Sequence, residues 1–135
     1  MTRILVDTSA LLALLDADDP WQSLVRATFA DRPDDDLVTH GYIVAESIAV
    51  ARHRLGIEGV VTLLDDVLPA IDVLDVDRAT HATAQTRYRS SLPSGLSFVD
   101  QVSFAVLERE GIQVALVLDS DFARPDITVL PPAQT

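Results

Sequence analysis

Five apolar residues in an unbroken run, VALVL at 114–118, constrain the fold of this 135-residue chain more than any other stretch. The run is short for a helix and offers no polar residue to a solvent face. It reads as a strand buried on both sides. Residues 3–7, RILVD, read as a second buried strand, and shorter ones are expected at 37–39, at 70–76, where AIDVLDV alternates, and at 127–130. Helical patterns fill the intervals. They cover 8–17, a stretch from Asp19-Pro20 to about Ala30, 41–55 closed by Gly56, 57–68 stopped by Pro69, 78–90 capped by Asp77, and 98–110 ended by Gly111. Strands alternating with helices predict an α/β chain, a three-layer α/β/α arrangement around a central, mainly parallel sheet. The length fits a single domain over 1–135, with no repeat or linker. The helices between 41 and 68 exceed the minimal alternating pattern and are expected to form a helical clip or a partner surface.

Composition removes several chemistries. There is no cysteine, hence no thiol nucleophile, thiolate metal site or disulfide. All ten cationic residues are arginine, which excludes Schiff-base lysines and the phosphate-loop lysine. No apolar run reaches the ~18–20 residues of a membrane span, and the strand pattern begins almost at residue 1. A cytoplasmic protein with no membrane partner is expected. The net charge of −11 opposes non-specific binding to nucleic acid, which depends on cations at the phosphates.

The acids are informative by position. In open parallel sheets, ligands bind beyond the carboxyl ends of the strands. Asp7 ends the first strand, Asp119 follows VALVL, and Asp121 lies two residues further on. Glu46 and Asp100 lie near the starts of helices that open at the same rim. Carboxylates converging without histidine or thiolate suit a hard divalent cation, Mg²⁺ or Mn²⁺, of the kind that serves phosphodiester cleavage. Each acid also has a plainer role open to it. Asp7 can cap the next helix, Asp100 completes a capping-box-like SFVD with Ser97, Glu46 can pair with an arginine, and Asp119 and Asp121 can be turn residues.

The stretches ILVDTSALLALLD, VTHGYIVAESIAVARHRLG, LSFVDQVSFAVLEREGI and ALVLDSDFA, in that order, resemble the PIN-domain ribonucleases, especially the VapC-like toxins of bacterial toxin–antitoxin pairs. The resemblance implies an α/β/α fold and Mg²⁺- or Mn²⁺-dependent RNA cleavage. It implies a homodimer and a small antitoxin partner. It assigns the catalytic acids to Asp7, Glu46, Asp100 and Asp119, with the metal on Asp7, Asp100 and Asp119. Ser9 is expected to orient Asp7 or to cap the helix, and Asp121 to add an outer ligand or nothing.

An acidic chain that cuts RNA needs a local exception to its charge. Residues 78–99 contain no acid and carry Arg78, Arg87 and Arg89. Arg87, Tyr88 and Arg89 are candidate RNA contacts, through bidentate phosphate bonds and base stacking, or else ordinary surface residues. His40, His53 and His81 lack metal-ligand spacing, and His40 is expected to pack or cap. A catalytically inactive module of the same fold, binding RNA or a partner, is the alternative. Receiver and aspartyl-phosphatase readings fail on the missing lysine and on the absence of D-x-D after the first strand.

Overall fold

The computed structural model describes residues 2–119 and 122–131. Its strands are β1 (Arg3–Val6), β2 (Asp36–His40), β3 (Asp72–Leu74), β4 (Val114–Leu116) and β5 (Thr128–Leu130). They form one sheet in the order β3-β2-β1-β4-β5, and every pairing is parallel. The central strand is β1, whose Leu5 lies opposite Val38 on one side and Ala115 on the other. Ile4, Leu5 and Val6 are all buried, so both faces of β1 are covered, as a central parallel strand requires.

The helices are α1 (Thr8–Leu15), α2 (Gln22–Ala30), α3 (Gly41–Thr62), α4 (Arg78–Ser90) and α5 (Phe98–Glu110). From β1 the chain steps outward to β2 and β3, then returns across β1 to reach β4. Right-handed crossovers therefore put α1, α2 and α3 over one face and α4 and α5 over the other. The packing agrees: α1 lies against α2 and α3, and α4 against α5. Ala84 of α4 packs with Val102, Ala105 and Val106 of α5 in a small second core. The reversal between β1 and β4 creates a crevice at their carboxyl ends, the usual ligand position in such sheets.

Local signals account for most element boundaries. Asp77 caps α4, accepting from Thr80 N–H at 2.8 Å, and Gly111 ends α5 in the left-handed region at φ 65°. Three expectations shift. Asp19 accepts from Trp21 N–H at 2.8 Å and so caps a turn, and α2 begins at Gln22 rather than at Pro20. β3 is shorter than 70–76, because Ala70 still belongs to a 3₁₀ turn (Leu68–Ala70) and 75–77 lead into the α4 cap. The break expected at Gly56 is present, since its φ 73°, ψ −163° is non-helical and divides α3 into two helical segments, but the second ends at Thr62 and passes into a π-turn, Leu63–Val67, instead of running to 68. No helix among the described residues is long and apolar enough to cross a membrane.

The Gly56 conformation is essentially closed to residues with a Cβ. Gly56→Ala is expected to lower the unfolding free energy by about 1–3 kcal/mol in urea titrations, although the added methyl meets no neighbour within 4 Å. An unchanged midpoint would mean that the kink costs alanine nothing.

Candidate active site

Asp7 stands at the crevice. Its N–H extends the sheet by bonding to Leu116 O at 3.0 Å, and its extended backbone (φ −83°, ψ 164°) makes it the N-cap of α1. The capping reading is therefore realised, and it leaves the carboxylate at the rim. Ser9 Oγ donates to Asp7 Oδ2 at 3.0 Å, and Ser9 N–H lies 3.4 Å from the same oxygen. Ser9 Oγ also accepts from Leu118 N–H at 3.0 Å. One hydroxyl thus ties the end of β1 to the segment that leaves β4.

Asp7 is buried, and burial raises its pKa from 3.8 to about 6. The bonds from Ser9 oppose that rise, and the negative charge of Asp100 adds to it. Asp7 and Asp100, 93 positions apart in sequence, are therefore close enough to feel each other's charge. Asp100 is half-buried at the third position of α5, in a reciprocal capping box. Its Oδ2 accepts from Ser97 N–H at 2.9 Å, and its N–H donates to Ser97 Oγ at 3.0 Å. Here too the local role and the rim position belong to one side chain.

Glu46 sits half-buried in α3, about 7–8 Å along the helix from its start, with no hydrogen bond or ion pair among the described residues. Asp119 is exposed just beyond Leu118, and its carbonyl accepts from Phe122 N–H at 3.4 Å. Asp121 lies outside the described residues. Among the described residues, no three carboxylates or imidazoles stand together in a geometry that holds a metal ion. The structure brings Asp7, Ser9 and Asp100 into one neighbourhood and puts Asp119 next in sequence to Leu118. It does not assemble the expected Asp7–Asp100–Asp119 set as a closed cage. The Thr8 and Ser47 hydroxyls, each next in sequence to one of the acids, are buried with no hydrogen-bond partner among the described residues.

The expected RNA contacts diverge. Arg87 is held by Glu108 through an Nη2–Oε2 ion pair, which uses part of its guanidinium. Tyr88 packs its ring edge-on against Phe98, with centroids 5.7 Å apart. Arg89 is exposed. His40 caps α3: its Nδ1 accepts from Tyr42 N–H and Ile43 N–H at 3.2 and 3.3 Å, so Nε2–H donates to Ser103 Oγ at 2.8 Å. Burial, with the positive charge of Arg109, lowers the His40 pKa to about 4. A contact that the residue pattern did not signal is Tyr42 Oη to His81 Nδ1, 2.6 Å across 39 positions.

The class defined so far is an open parallel α/β protein with two carboxylates, Asp7 and Asp100, at the switch point where such sheets take their ligands. The chain belongs to the PIN domain family, whose sequence pattern matches residues 4–127. It is 30% identical over 126 residues to VapC20 of Mycobacterium tuberculosis, a 23S rRNA-specific endonuclease, covering 89% of this chain and 92% of that one. The crystal structure of VapC20, described as a sarcin–ricin loop cleaving toxin, superimposes with a TM-score of 0.80 at 28% identity, covering 88% and 92% of the two chains. DNA-bound VapBC from Salmonella typhimurium shares the fold, with a TM-score of 0.68 at 17% identity over 96% and 97% of the chains.

The Asp7 shift has a measurable sign. A carboxyl whose pKa is higher folded than unfolded favours the fold below about pH 4, and that contribution is lost as pH rises through about 6. In EDTA, the unfolding free energy of wild type relative to Asp7→Asn is expected to fall by about 2.4 kcal/mol between pH 4 and 8. His40 works in the opposite sense, losing stability as pH falls from 6.5 toward about 4, but it is common to both proteins and cancels in the difference. Urea titrations across this range check it. A difference that does not vary with pH would contradict a buried, charge-coupled Asp7.

Proposed function

We propose that this chain is a metal-dependent endoribonuclease acting as the toxin of a toxin–antitoxin pair, with a ribosomal RNA loop as substrate. The observation that carries this reading is the Asp7–Asp100 charge coupling at the β1–β4 crevice, anchored by Ser9, in a chain of the PIN domain family. The likeness to VapC20 supports the choice of RNA. The unit of function in this reading is the whole chain, 1–135, in the cytoplasm and as a homodimer.

The donors suit Mg²⁺, with Mn²⁺ as its substitute. They are oxygen alone, and the two like charges raise the cost of leaving both ionised without a cation. Mg²⁺ is commonly held by one or two carboxylates with waters completing its shell, so a closed protein cage is not required. Asp7, Asp100 and Asp119 would hold the ion, and the buried Thr8 and Ser47 hydroxyls offer partners for ordered water. When bound, such an ion polarises a phosphodiester oxygen and stabilises the leaving oxygen. Ser9 keeps Asp7 oriented toward the crevice. Glu46 positions water at the phosphate, and Asp121 serves as an outer contact. Arg89 and Tyr88 meet the RNA, and Arg87, with Nη2 on Glu108 and Nη1 buried, adds its charge.

The antitoxin is a separate small protein in this reading. Ile57, Val61 and Leu64 form an exposed apolar stripe at helical spacing on the kinked end of α3 and the turn after it, and Trp21 is also exposed. These side chains suit the apolar face of a partner helix.

The test is cleavage of 23S rRNA and of a sarcin–ricin loop hairpin with Mg²⁺, Mn²⁺ or EDTA. Cleavage should require the metal, and Asp7→Asn and Asp100→Asn should each reduce it by about a hundredfold or more. Folded variants that cut as well as wild type would end this assignment. RNA binding without turnover in any metal would favour the inactive binding module.

A further inference from the structure

Four aromatic side chains from three helices meet near the starts of α3 and α5, the helices that carry Glu46 and Asp100. Phe98, at the start of α5 and two residues before Asp100, lies at their centre. Its ring is 5.4 Å from His81, 5.7 Å from Tyr88 and 6.1 Å from Tyr42, centroid to centroid. Tyr42 is in the first turn of α3, one turn before Glu46 and on the same helical face. All four are only partly buried, so the cluster has an open edge.

Tyr42 Oη and His81 Nδ1 are 2.6 Å apart. In the tautomer in which Oη donates to Nδ1, the proton of the neutral ring sits on Nε2. Nε2 has no hydrogen-bond partner among the described residues. The aromatic edge is also next to positive charge. Helical geometry turns Arg78, Gln85 and Arg89 roughly 40–80° from His81 around α4. Neither arginine forms an ion pair among the described residues, and residues 78–99 hold no acid.

We propose that Tyr42, His81, Tyr88 and Phe98 form a nucleotide shelf beside the acidic crevice, where an unpaired base of the RNA stacks on the Tyr88–Phe98 edge and His81 Nε2–H donates to the same nucleotide. The cations on the adjoining face of α4, in a chain of net charge −11, favour a polyanion there over an apolar partner. The shelf rests on the ribonuclease reading and adds a substrate contact distinct from the acids. His81 is a binding residue in this proposal, and Tyr42 is the residue that positions it.

The experiment measures binding of a fluorescent sarcin–ricin loop hairpin to the Asp7→Asn protein, with thermal unfolding recorded for each variant. Tyr88→Leu, which keeps an apolar contact with Phe98, and His81→Ala should each weaken binding about tenfold. Tyr42→Phe, which keeps the ring and loses only the hydroxyl, should weaken it severalfold, and His81→Gln, which restores an N–H donor, should recover part of the loss. ¹⁵N spectra of labelled histidine should show hydrogen on His81 Nε2 and a shift of that nitrogen when the hairpin is added. Tight binding that is indifferent to all four substitutions in folded protein overturns the shelf and leaves the ribonuclease reading standing. Failure of the parent protein to bind or cut any RNA overturns both.

Discussion

The Ser9 hydroxyl joins the two halves of the sheet where the strand order reverses. Its single proton goes to Asp7 Oδ2, and its lone pair takes Leu118 N–H, each at 3.0 Å. Asp7 N–H to Leu116 O completes a closed link between the ends of β1 and β4. A hydrogen bond to an ionised group contributes about 1.5–3 kcal/mol. The Ser9 bonds therefore offset part of the cost of burying the Asp7 carboxylate, and its pKa still stands at about 6. Ser9 also gives that carboxylate one orientation, and it pins the backbone from which Asp119 extends.

The helix starts around this joint are occupied by acids for two reasons at once. Asp7 is the N-cap of α1, and Asp100 is the third residue of α5 in a capping box. A helix N-terminus carries unsatisfied N–H groups and about half a positive charge, so a carboxylate there is locally favourable. Topology then turns the starts of α1, α3 and α5 toward the same edge of the sheet. Local capping is satisfied within each helix, and the residual repulsion between Asp7 and Asp100 remains as the property that a cation can relieve. This dual use explains why capping and site readings of these acids could not be separated from residue patterns alone.

Periodicity and caps made most of the fold legible. VALVL, RILV, the Asp77 cap and the Gly111 stop all act within a few residues of themselves, and the structure follows them. The resemblance carried in four motifs supplied the rest of the candidate site. What escaped the sequence is what depends on distant partners. Ser9 bonds across 109 positions to Leu118, His40 across 63 to Ser103, and Tyr42 across 39 to His81. Gly56 read as a helix end, and its non-helical φ 73°, ψ −163° does separate two helical segments there, although that ψ is not the left-handed cap. Arg87 counted toward a basic segment, yet Glu108, 21 positions later, claims it.

That last pair bears on how so acidic a chain can meet RNA. Arg3, Arg32, Arg87, Arg109 and Arg124 all pair with carboxylates, so half of the ten arginines serve the protein's own charge balance. Long-range attraction to a phosphate backbone is correspondingly weak, and each unmade phosphate contact removes both affinity and salt dependence. Recognition must then come from short-range terms, stacking and oriented donors, which need an unpaired base rather than a duplex surface. Among the described residues five arginines lie outside the ion pairs, Arg26, Arg52, Arg54, Arg78 and Arg89, and two of them, Arg78 and Arg89, lie on α4 beside the aromatic edge. On the proposed ribonuclease reading, a loop with bases turned outward satisfies those terms, whereas a regular helix presents mainly phosphates, which a chain of net charge −11 disfavours. On that reading the charge that opposes general nucleic-acid binding also acts as a filter for selectivity.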